Sequence, residues 1–295
     1  MIRARDLVKY YNDFPALDGI SFDLEDGAIL GIIGHNGAGK TTLLKILAGL
    51  IRPTSGTLTV DGIDVVRRPI DLKRQLGYLP EESRLYETMT VDAYLSFFGE
   101  IYGMDAAAIR RRRDELLDSL ALDAEGKKLG ELSKGMKRKV AIARSLIHDP
   151  ALLIYDEPTS GLDPMTSRFV IDYIRDLRSQ GKTVLFSGHN LYQVEEVCDA
   201  VMILRRGKTV ASGSMHDLRE MFGSITYQIH FIVPDGAPFT TEVAHTEHDG
   251  LYLATARTVE ELNRITATLT AEGAAIERIE SQYPTLEEML VKIGK

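Results

Sequence analysis

The sequence is poor in cysteine, in positive charge and in long apolar runs, and each absence excludes a class of protein. Cys198 is the only cysteine in 295 residues, which excludes an intramolecular disulfide and a cysteine-based metal site and fits a reducing compartment. The formal net charge is -8, whereas general nucleic-acid binders normally carry a basic balance. We therefore expect no nucleic-acid partner.

Apolar runs are also short throughout. None approaches the ~20 residues needed to span a bilayer, and residues 1–11 lack the apolar core of a secretion signal. We therefore expect a cytoplasmic polypeptide that works at a membrane only through a partner. The length and the 44% hydrophobic content suffice for one large core and a small satellite domain.

Residues 34–41, Gly-His-Asn-Gly-Ala-Gly-Lys-Thr, match the phosphate-binding pattern G-x-x-x-x-G-K-[ST] at every fixed position. The apolar run 28–33 before them predicts a buried strand, and leucine and isoleucine recur at helical spacing in 41–51. Glycines let backbone N–H groups approach an anion closely, and the helix dipole adds to the attraction. Chance would give this match in about one chain per hundred of this length. The predicted strand before the loop and the predicted helix after it favour a phosphate site over a chance match.

This loop predicts a site for ATP and Mg2+. Lys40, expected on a surface loop, would reach the β- and γ-phosphates, and Thr41 would offer its hydroxyl to Mg2+. The predicted nucleotide contacts of this segment are Gly34, His35, Asn36, Gly37, Ala38, Gly39, Lys40, Thr41 and Thr42.

A second apolar run, 151–155, ends in two acidic residues, Asp156 and Glu157. A buried strand that ends in this way fits the metal-holding site of P-loop NTPases. Asp156 would then contact the water shell of Mg2+, and Glu157 would position and polarise the attacking water.

Three other residues are ambiguous on sequence alone. Tyr11 could stack on a purine base or pack on an edge strand. Ser133 is a good N-cap, and the helix that it opens offers either a second anion site or an ordinary capped end. His189 follows the apolar strand 183–186 and by itself indicates a surface histidine.

Alternating strands and helices predict an α/β fold with a P-loop NTPase core. Two strand-like runs, 2–10 and 20–24, predict an N-terminal antiparallel sheet. An inserted helical subdomain is predicted at about 83–148. Its first helix carries an aromatic and apolar stripe that indicates a local core, made of Tyr94, Phe97, Phe98, Ile101 and Tyr102.

We place the end of this domain at residue 222 and predict a small C-terminal α+β domain over 223–295. Its second strand is predicted at 239–244. The segment has no catalytic constellation, and a regulatory or dimer-supporting role is a hypothesis for it.

The motifs of residues 1–220, in their order along the chain, resemble those of the ATP-binding cassette subunits of ABC transporters. The matching segments are 34–41 with Walker A, 132–136 with the signature sequence, 156–157 with Walker B and its catalytic glutamate, and 160–163 with the D-loop. The resemblance implies that Tyr11 stacks on adenine, that Ser133 and Gly135 contact nucleotide, and that His189 is the catalytic switch histidine.

Two departures from the family pattern are visible. Glu81 stands where the family usually has a glutamine; a carboxylate can still meet the Mg2+ shell, although it adds negative charge near the phosphates. The signature is LSKGM instead of LSGGQ, which keeps Ser133 and Gly135. Both variants resemble an exporter-type subgroup whose permease is a separate polypeptide, and the segment after residue 222 is similar to the C-terminal extension of that subgroup.

The resemblance implies an ATP-hydrolysing subunit that energises export and lies on the inner face of the cell membrane, bound to its permease. Two copies would face head to tail, as a homodimer or as a heterodimer with a related cassette. Each ATP would lie between Walker A of one copy and the signature of the other. Residues 82–89, with Leu85, Tyr86 and Met89 in a polar stretch, predict the surface that docks the permease.

The alternative is a soluble ABC ATPase that acts in cofactor assembly, translation or DNA repair. A duplicated cassette would favour translation and a long coiled-coil insertion would favour repair; the sequence has neither. A P-loop kinase or GTPase is disfavoured, because it would not need the segment 132–136.

Overall fold

The computed structural model describes residues 1–124, 126–223, 225–233, 241–248 and 251–294. It divides the chain into two compact units, Met1–Met215 and His216–Lys295. The division lies near the start of the helix Met215–Phe222, whereas the sequence placed it after that helix.

Unit one, Met1–Met215, contains two sheets. Its strands are β1 (Ile2–Tyr11), β2 (Phe14–Leu24), β3 (Ile29–Ile33), β4 (Ser55–Val60), β5 (Ile63–Asp64), β6 (Leu76–Leu79), β7 (Leu152–Tyr155), β8 (Thr183–Ser187), β9 (Ala200–Arg205) and β10 (Lys208–Ser214). One sheet has the order β2-β1-β4-β5 and is antiparallel. The other has the order β10-β9-β3-β8-β7-β6 and is parallel except for β10. The predicted α/β class with an N-terminal antiparallel sheet is confirmed.

Helices cover these sheets and form the inserted segment. They are α1 (Lys40–Leu47), α2 (Pro69–Lys73), α3 (Val91–Ile101), α4 (Ala106–Ser119), α5 (Lys134–Leu146), α6 (Pro164–Ser179) and α7 (Leu191–Val197). Every residue of β3 is buried, as expected for a central strand with helices on both faces. Because β3, β8 and β7 run parallel, their carboxyl ends lie at one edge of the sheet. Ligands bind at this edge in open α/β folds.

The apolar stripe on α3 is only partly a local core. Tyr94 is buried, but Phe97 and Ile101 are exposed. The reason is the close approach of α3 to α4, in which a Cβ on Gly99 would lie 2.6 Å from Cγ1 of Ile109. Gly99 therefore lies on the side of α3 that faces α4. The packed face of α3 is narrower than the apolar stripe, so Phe97 and Ile101 remain exposed.

Unit two, His216–Lys295, has one antiparallel sheet in the order β12-β13-β11-β14. Its described elements are α8 (Met215–Phe222), β11 (Thr226–Ile232), β12 (His245–His248), β13 (Leu251–Ala256), α9 (Val259–Ala271), β14 (Ala275–Gln282) and α10 (Leu286–Gly294). Apolar residues of β11, β13 and α9 form its core, among them Ile229, Phe231, Ala254 and Leu269.

The second strand of this unit is not where the sequence placed it. Of the predicted strand 239–244, residues 239 and 240 lie outside the described residues, and 241–244 form no strand. The backbone N–H of Val243 donates to Oγ1 of Thr241 at 3.1 Å. Such a local bond competes with sheet pairing, and pairing begins only at β12.

A histidine at the end of the helical segment makes stability depend on pH. The ring of His148 stacks on Tyr102 with the centroids 3.6 Å apart, and burial lowers the pKa of His148 to about 4. Between that value and the ordinary pKa, the unfolded chain binds the proton and the folded chain does not. Stability is therefore lost as the pH falls through this window, by less than about 1.4 kcal/mol per pH unit because part of the ring is exposed.

We expect His148→Phe, which keeps a ring on Tyr102, to remove this contribution. Urea unfolding of both proteins at about pH 7.5 and about pH 5 measures it. The wild type should lose more free energy of unfolding between the two pH values than the variant. Equal losses would show that His148 is protonated as easily in the folded chain as in the unfolded one.

Within the described ranges, no helix combines the length and the apolarity that a bilayer crossing requires.

Candidate active site

The loop between β3 and α1 can be built only with glycine at its ends. Gly34 and Gly39 have φ angles of 153° and 108°, a region that other residues rarely adopt. A Cβ on Gly34 would lie 2.3 Å from the carbonyl oxygen of Leu204, and one on Gly39 would lie 2.6 Å from that of Ala16. The loop thus packs backbone to backbone against neighbouring segments, as the phosphate-binding pattern requires.

Lys40 is the first residue of α1 and is only 7% exposed, so the expectation of a surface position was wrong. Its Nζ donates to the carbonyl oxygen of Gly34 at 2.7 Å, which folds the side chain back over its own loop. Burial lowers the pKa of Lys40, although Glu157, Asp156 and Glu81 oppose this effect. The N-cap of α1, Gly39, offers no side-chain cap, which leaves the first-turn N–H groups to donate to an anion.

A cavity of about 430 Å³ opens beside this loop. It brings together most of the predicted site residues, since its lining consists of Tyr11, Phe14, Ala16, His35, Asn36, Gly37, Ala38, Gly39, Lys40, Thr41, Thr42, Glu81, Glu157 and His189. Gly34 lies at the base of the loop, where it holds Lys40. Sequence reasoning missed Phe14, which pairs with Tyr11 across the β1–β2 hairpin; the turn residues Asn12 and Asp13 were the available signal.

Asp156 directly follows β7, is 2% exposed and is not among the described residues that line the cavity. Ser187, at the end of β8, donates its Oγ–H to Oδ1 of Asp156 at 2.7 Å. The same Oγ accepts the backbone N–H of Glu157 at 2.9 Å. Ser187 was also missed, because only the pairing of β7 with β8 brings it to the acidic pair.

Glu157 is held in a strained conformation that turns its side chain into the cavity. Its φ angle is 50°, a left-handed value that costs a non-glycine residue about 1–3 kcal/mol. Burial raises the pKa of Glu157 to about 7; Asp156 and Glu81 add to the rise, and Lys40 and Arg138 oppose it. A carboxyl group with a pKa near neutral pH is suited to accept a proton during a reaction.

His189 follows β8 and places its Nε2 3.0 Å from Oε1 of Glu157. Burial and the nearby charge of Lys40 lower the pKa of His189, although Glu81 and Asp156 oppose this. The ring is therefore neutral at pH 7. His189 is an exposed residue, with 55% of its side chain accessible, and it lines the cavity beside Glu157.

Ser133 and Gly135 are absent from the described residues that line the cavity. Ser133 is the exposed N-cap of α5, and its Oγ accepts the backbone N–H of Met136 at 3.3 Å. A Cβ on Gly135 would lie 3.1 Å from Thr166, in the first turn of α6. The two signature residues thus occupy a separate place on unit one.

Carboxylates near the loop suit a metal that is held partly by its substrate. Among the described residues, no group of three or more His, Cys, Asp and Glu side chains could hold an ion unaided. Mg2+ is usually bound through one or two carboxylates and substrate phosphates. Thr41 beside Lys40, with Asp156 and Glu81 as carboxylates, is a donor set that fits this ion.

Known proteins are similar to this chain in sequence and in fold. A family profile described as "ABC transporter" matches residues 17–160. The ABC transporter ATP-binding protein NatA of Bacillus subtilis is 38% identical over 226 residues, which are 75% of this chain and 92% of that protein.

The chain belongs to the ABC transporter ATP-binding family.

Two other matches support membership of the ABC family. A Nod factor export ATP-binding protein I of Burkholderia orbicola is 36% identical over 252 residues, or 83% of this chain and 82% of that protein. A solved structure of an ATP-binding subunit of an ABC transporter matches with a TM-score of 0.70 and 33% identity, covering 75% of this chain and 93% of that one. This ABC protein is accordingly an ATP-binding subunit, and its family hydrolyses ATP.

Proposed function

We propose that this protein is the Mg2+-dependent ATPase subunit of an exporter whose permease is a separate polypeptide. One observation carries the proposal: a single cavity joins the phosphate-binding loop to Glu157 and His189. The relative named for Nod factor export supports export over a soluble role. The protein would then act in the cytoplasm, on the inner face of the cell membrane.

The loop residues would hold the phosphates of ATP through backbone N–H groups, and Lys40 would exchange the Gly34 carbonyl for phosphate oxygens. Tyr11 and Phe14, both exposed on the hairpin, would flank the adenine. Thr41 and Asp156 would hold Mg2+, with Glu81 facing its water shell. When bound, Mg2+ would supply charge neutralisation to the phosphates of ATP.

Glu157 would accept the proton of the water whose oxygen attacks the γ-phosphorus, as the bond to the ADP oxygen breaks. The strained backbone and Ser187 fix the start of this side chain, and His189 lies beside its end. The single N–H of neutral His189 would donate to the transferring phosphoryl group once ATP is bound.

The separate location of Ser133 and Gly135 supports a head-to-tail dimer. If both the loop and the signature contact one ATP, and they do not line one cavity within a chain, the second contact must come from another chain. The exposed start of α5 offers N–H groups and the Ser133 hydroxyl for this purpose. We propose a homodimer, with a heterodimer of related cassettes as the alternative.

The permease would dock on the segment 82–89. A cavity of about 580 Å³ adjoins this segment and is lined in part by Glu82, Leu85 and Glu87. Tyr86 is 52% exposed, and its ring meets that of Phe97 edge to face at 6.2 Å. An apolar rim around a polar cavity is typical of a site for a partner's helix.

We expect Leu85→Glu to abolish co-purification with the permease, because it places a charge in this rim. ATP binding should be unchanged, since Leu85 does not line the ATP cavity. Ile70→Glu is the matched control, because Ile70 is 68% exposed on α2. Pull-down with the co-expressed permease is the measurement, and equal recovery of both variants would remove the segment 82–89 from the interface.

A further inference from the structure

Arg138 is a buried cation that the proposed reaction does not use. It lies in the second turn of α5 and is 6% exposed. Among the described residues, no carboxylate forms an ion pair with it. Burial lowers the pKa of Arg138 to about 10, against the opposing influence of Tyr155, Asp156 and Glu81, so the guanidinium stays charged at neutral pH. A buried charge without an ionic partner is costly unless its hydrogen bonds are satisfied.

Its hydrogen bonds go to two loops of the active site. On one side, Nη1 donates to the carbonyl oxygens of Pro80 at 2.8 Å and Glu81 at 3.1 Å, and to Oγ of Ser83 at 3.4 Å. Pro80 and Glu81 link β6 to the proposed docking segment 82–89, which contains Ser83, and Glu81 lines the ATP cavity.

On the other side, Nε donates to the carbonyl oxygen of Pro158 at 2.7 Å. Nη2 donates to the carbonyl oxygens of Glu157 at 2.5 Å and Asp156 at 3.3 Å. The strained peptide of Glu157 is therefore held from both ends, at its N–H by Ser187 and at its carbonyl by Arg138.

We propose that Arg138 is a positioning residue that locks the loop 80–83 and the loop 156–158 into one unit, and so fixes the orientation of Glu157. The planar guanidinium carries five N–H groups in a rigid fork, and here the fork spans both loops. A lysine at this position would keep the charge but could not reach both sets of carbonyls with fixed geometry. Because α5 also carries Ser133, the unit includes the start of the signature helix.

This inference rests on the proposed role of Glu157, and the variant Arg138→Lys tests it. We expect kcat for ATP hydrolysis to fall by at least about tenfold, while the Kd for ATP stays within about twofold because no P-loop contact changes. Arg144→Lys is the control on the same helix. Arg144 also donates to a backbone carbonyl, that of Tyr78, and to the hydroxyl of Tyr94, but it touches neither loop. The kcat of the Arg144→Lys variant should stay near that of the wild type.

A double-mutant cycle with Glu157→Gln separates positioning from general destabilisation. If Arg138 acts through Glu157, Arg138→Lys should lower the single-turnover rate much less in the Glu157→Gln background than in the wild type. The proposal would be overturned if Arg138→Lys lowered the single-turnover rate by the same factor in both backgrounds. A folded Arg138→Lys protein with an unchanged kcat would also overturn it. Loss of activity in Arg144→Lys to the same extent would also overturn it.

Folding and the proposed function are checked in the same series. If neither Arg138→Lys nor Arg138→Gln folds, while Arg144→Lys does, Arg138 serves the fold and the positioning role is rejected. If Glu157→Gln itself keeps full activity, the proposed function fails first, together with this inference. If Glu157→Gln is inactive and Arg138→Lys is fully active, only this inference fails.

Discussion

Glu157→Gln is expected to lower the rate of ATP hydrolysis by about 100- to 10,000-fold while ATP still binds. The substitution keeps the size of the side chain and its place beside His189, but an amide cannot accept the proton of the attacking water. The P-loop and Lys40 are untouched, so affinity should be retained. Steady-state ATPase assays and equilibrium nucleotide binding measure the two effects.

Binding without turnover should also accumulate the closed dimer. The γ-phosphate would be held by Lys40 of one subunit and by the Ser133 helix start of the other, so ATP adds its binding free energy to association. Size-exclusion chromatography with Mg-ATP should therefore show Glu157→Gln as a dimer. Adding Ser133→Arg should return it to a monomer, because that change places bulk at the junction.

Two controls accompany this prediction. Glu115→Gln removes an exposed carboxylate of α4 that pairs with Arg112, and it should leave hydrolysis unchanged. Ser179→Arg adds the same bulk at the exposed far end of α6 and should leave the dimer intact. A Glu157→Gln protein that binds ATP and stays monomeric at high concentration would contradict the homodimer, and wild-type hydrolysis would remove Glu157 from the reaction.

Lys40→Met should weaken ATP binding by about 10- to 100-fold, the usual contribution of a hydrogen bond to a charged group. Methionine is chosen because Lys40 is buried: it keeps the apolar stem packed and removes only the ammonium group. Calorimetric titration with ATP measures the affinity, and thermal unfolding checks the fold.

Lys45→Met is the matched control, because Lys45 is exposed on the same helix and lies outside the ATP cavity. Its affinity for ATP should equal that of the wild type. Equal affinities for Lys40→Met and the wild type would contradict the phosphate site itself.

Local patterns were enough to predict the parts of the site that are contiguous in sequence. The loop 34–41 combines fixed glycines with a buried strand and a helix, so its conformation is determined over a few residues. The acidic pair at 156–157 follows an apolar strand, and its position at the sheet edge follows from that strand alone. Tyr11, Glu81 and His189 required the family resemblance, because a single aromatic, acidic or histidine residue carries no pattern.

Sequence patterns could not predict the residues that reach the site only through tertiary contacts. Ser187 belongs to the site because β8 lies beside β7, and Phe14 because a hairpin sets it opposite Tyr11. Arg138 looks like one of several basic residues on a helix, and only the convergence of two loops on it gives it partners. Lys40 was placed wrongly for a similar reason, since its burial results from contacts between the loop and later segments.

The position of β3 in the sheet has a consequence for biosynthesis. The strand that leads into the phosphate loop is made early, but both of its neighbours, β8 and β9, are made late. The antiparallel hairpin β1–β2 can pair almost as soon as it leaves the ribosome, whereas β3 must wait until the chain has passed Thr183. A nascent chain therefore carries an incomplete nucleotide pocket for most of its synthesis, and it should acquire affinity for ATP only when unit one is nearly finished.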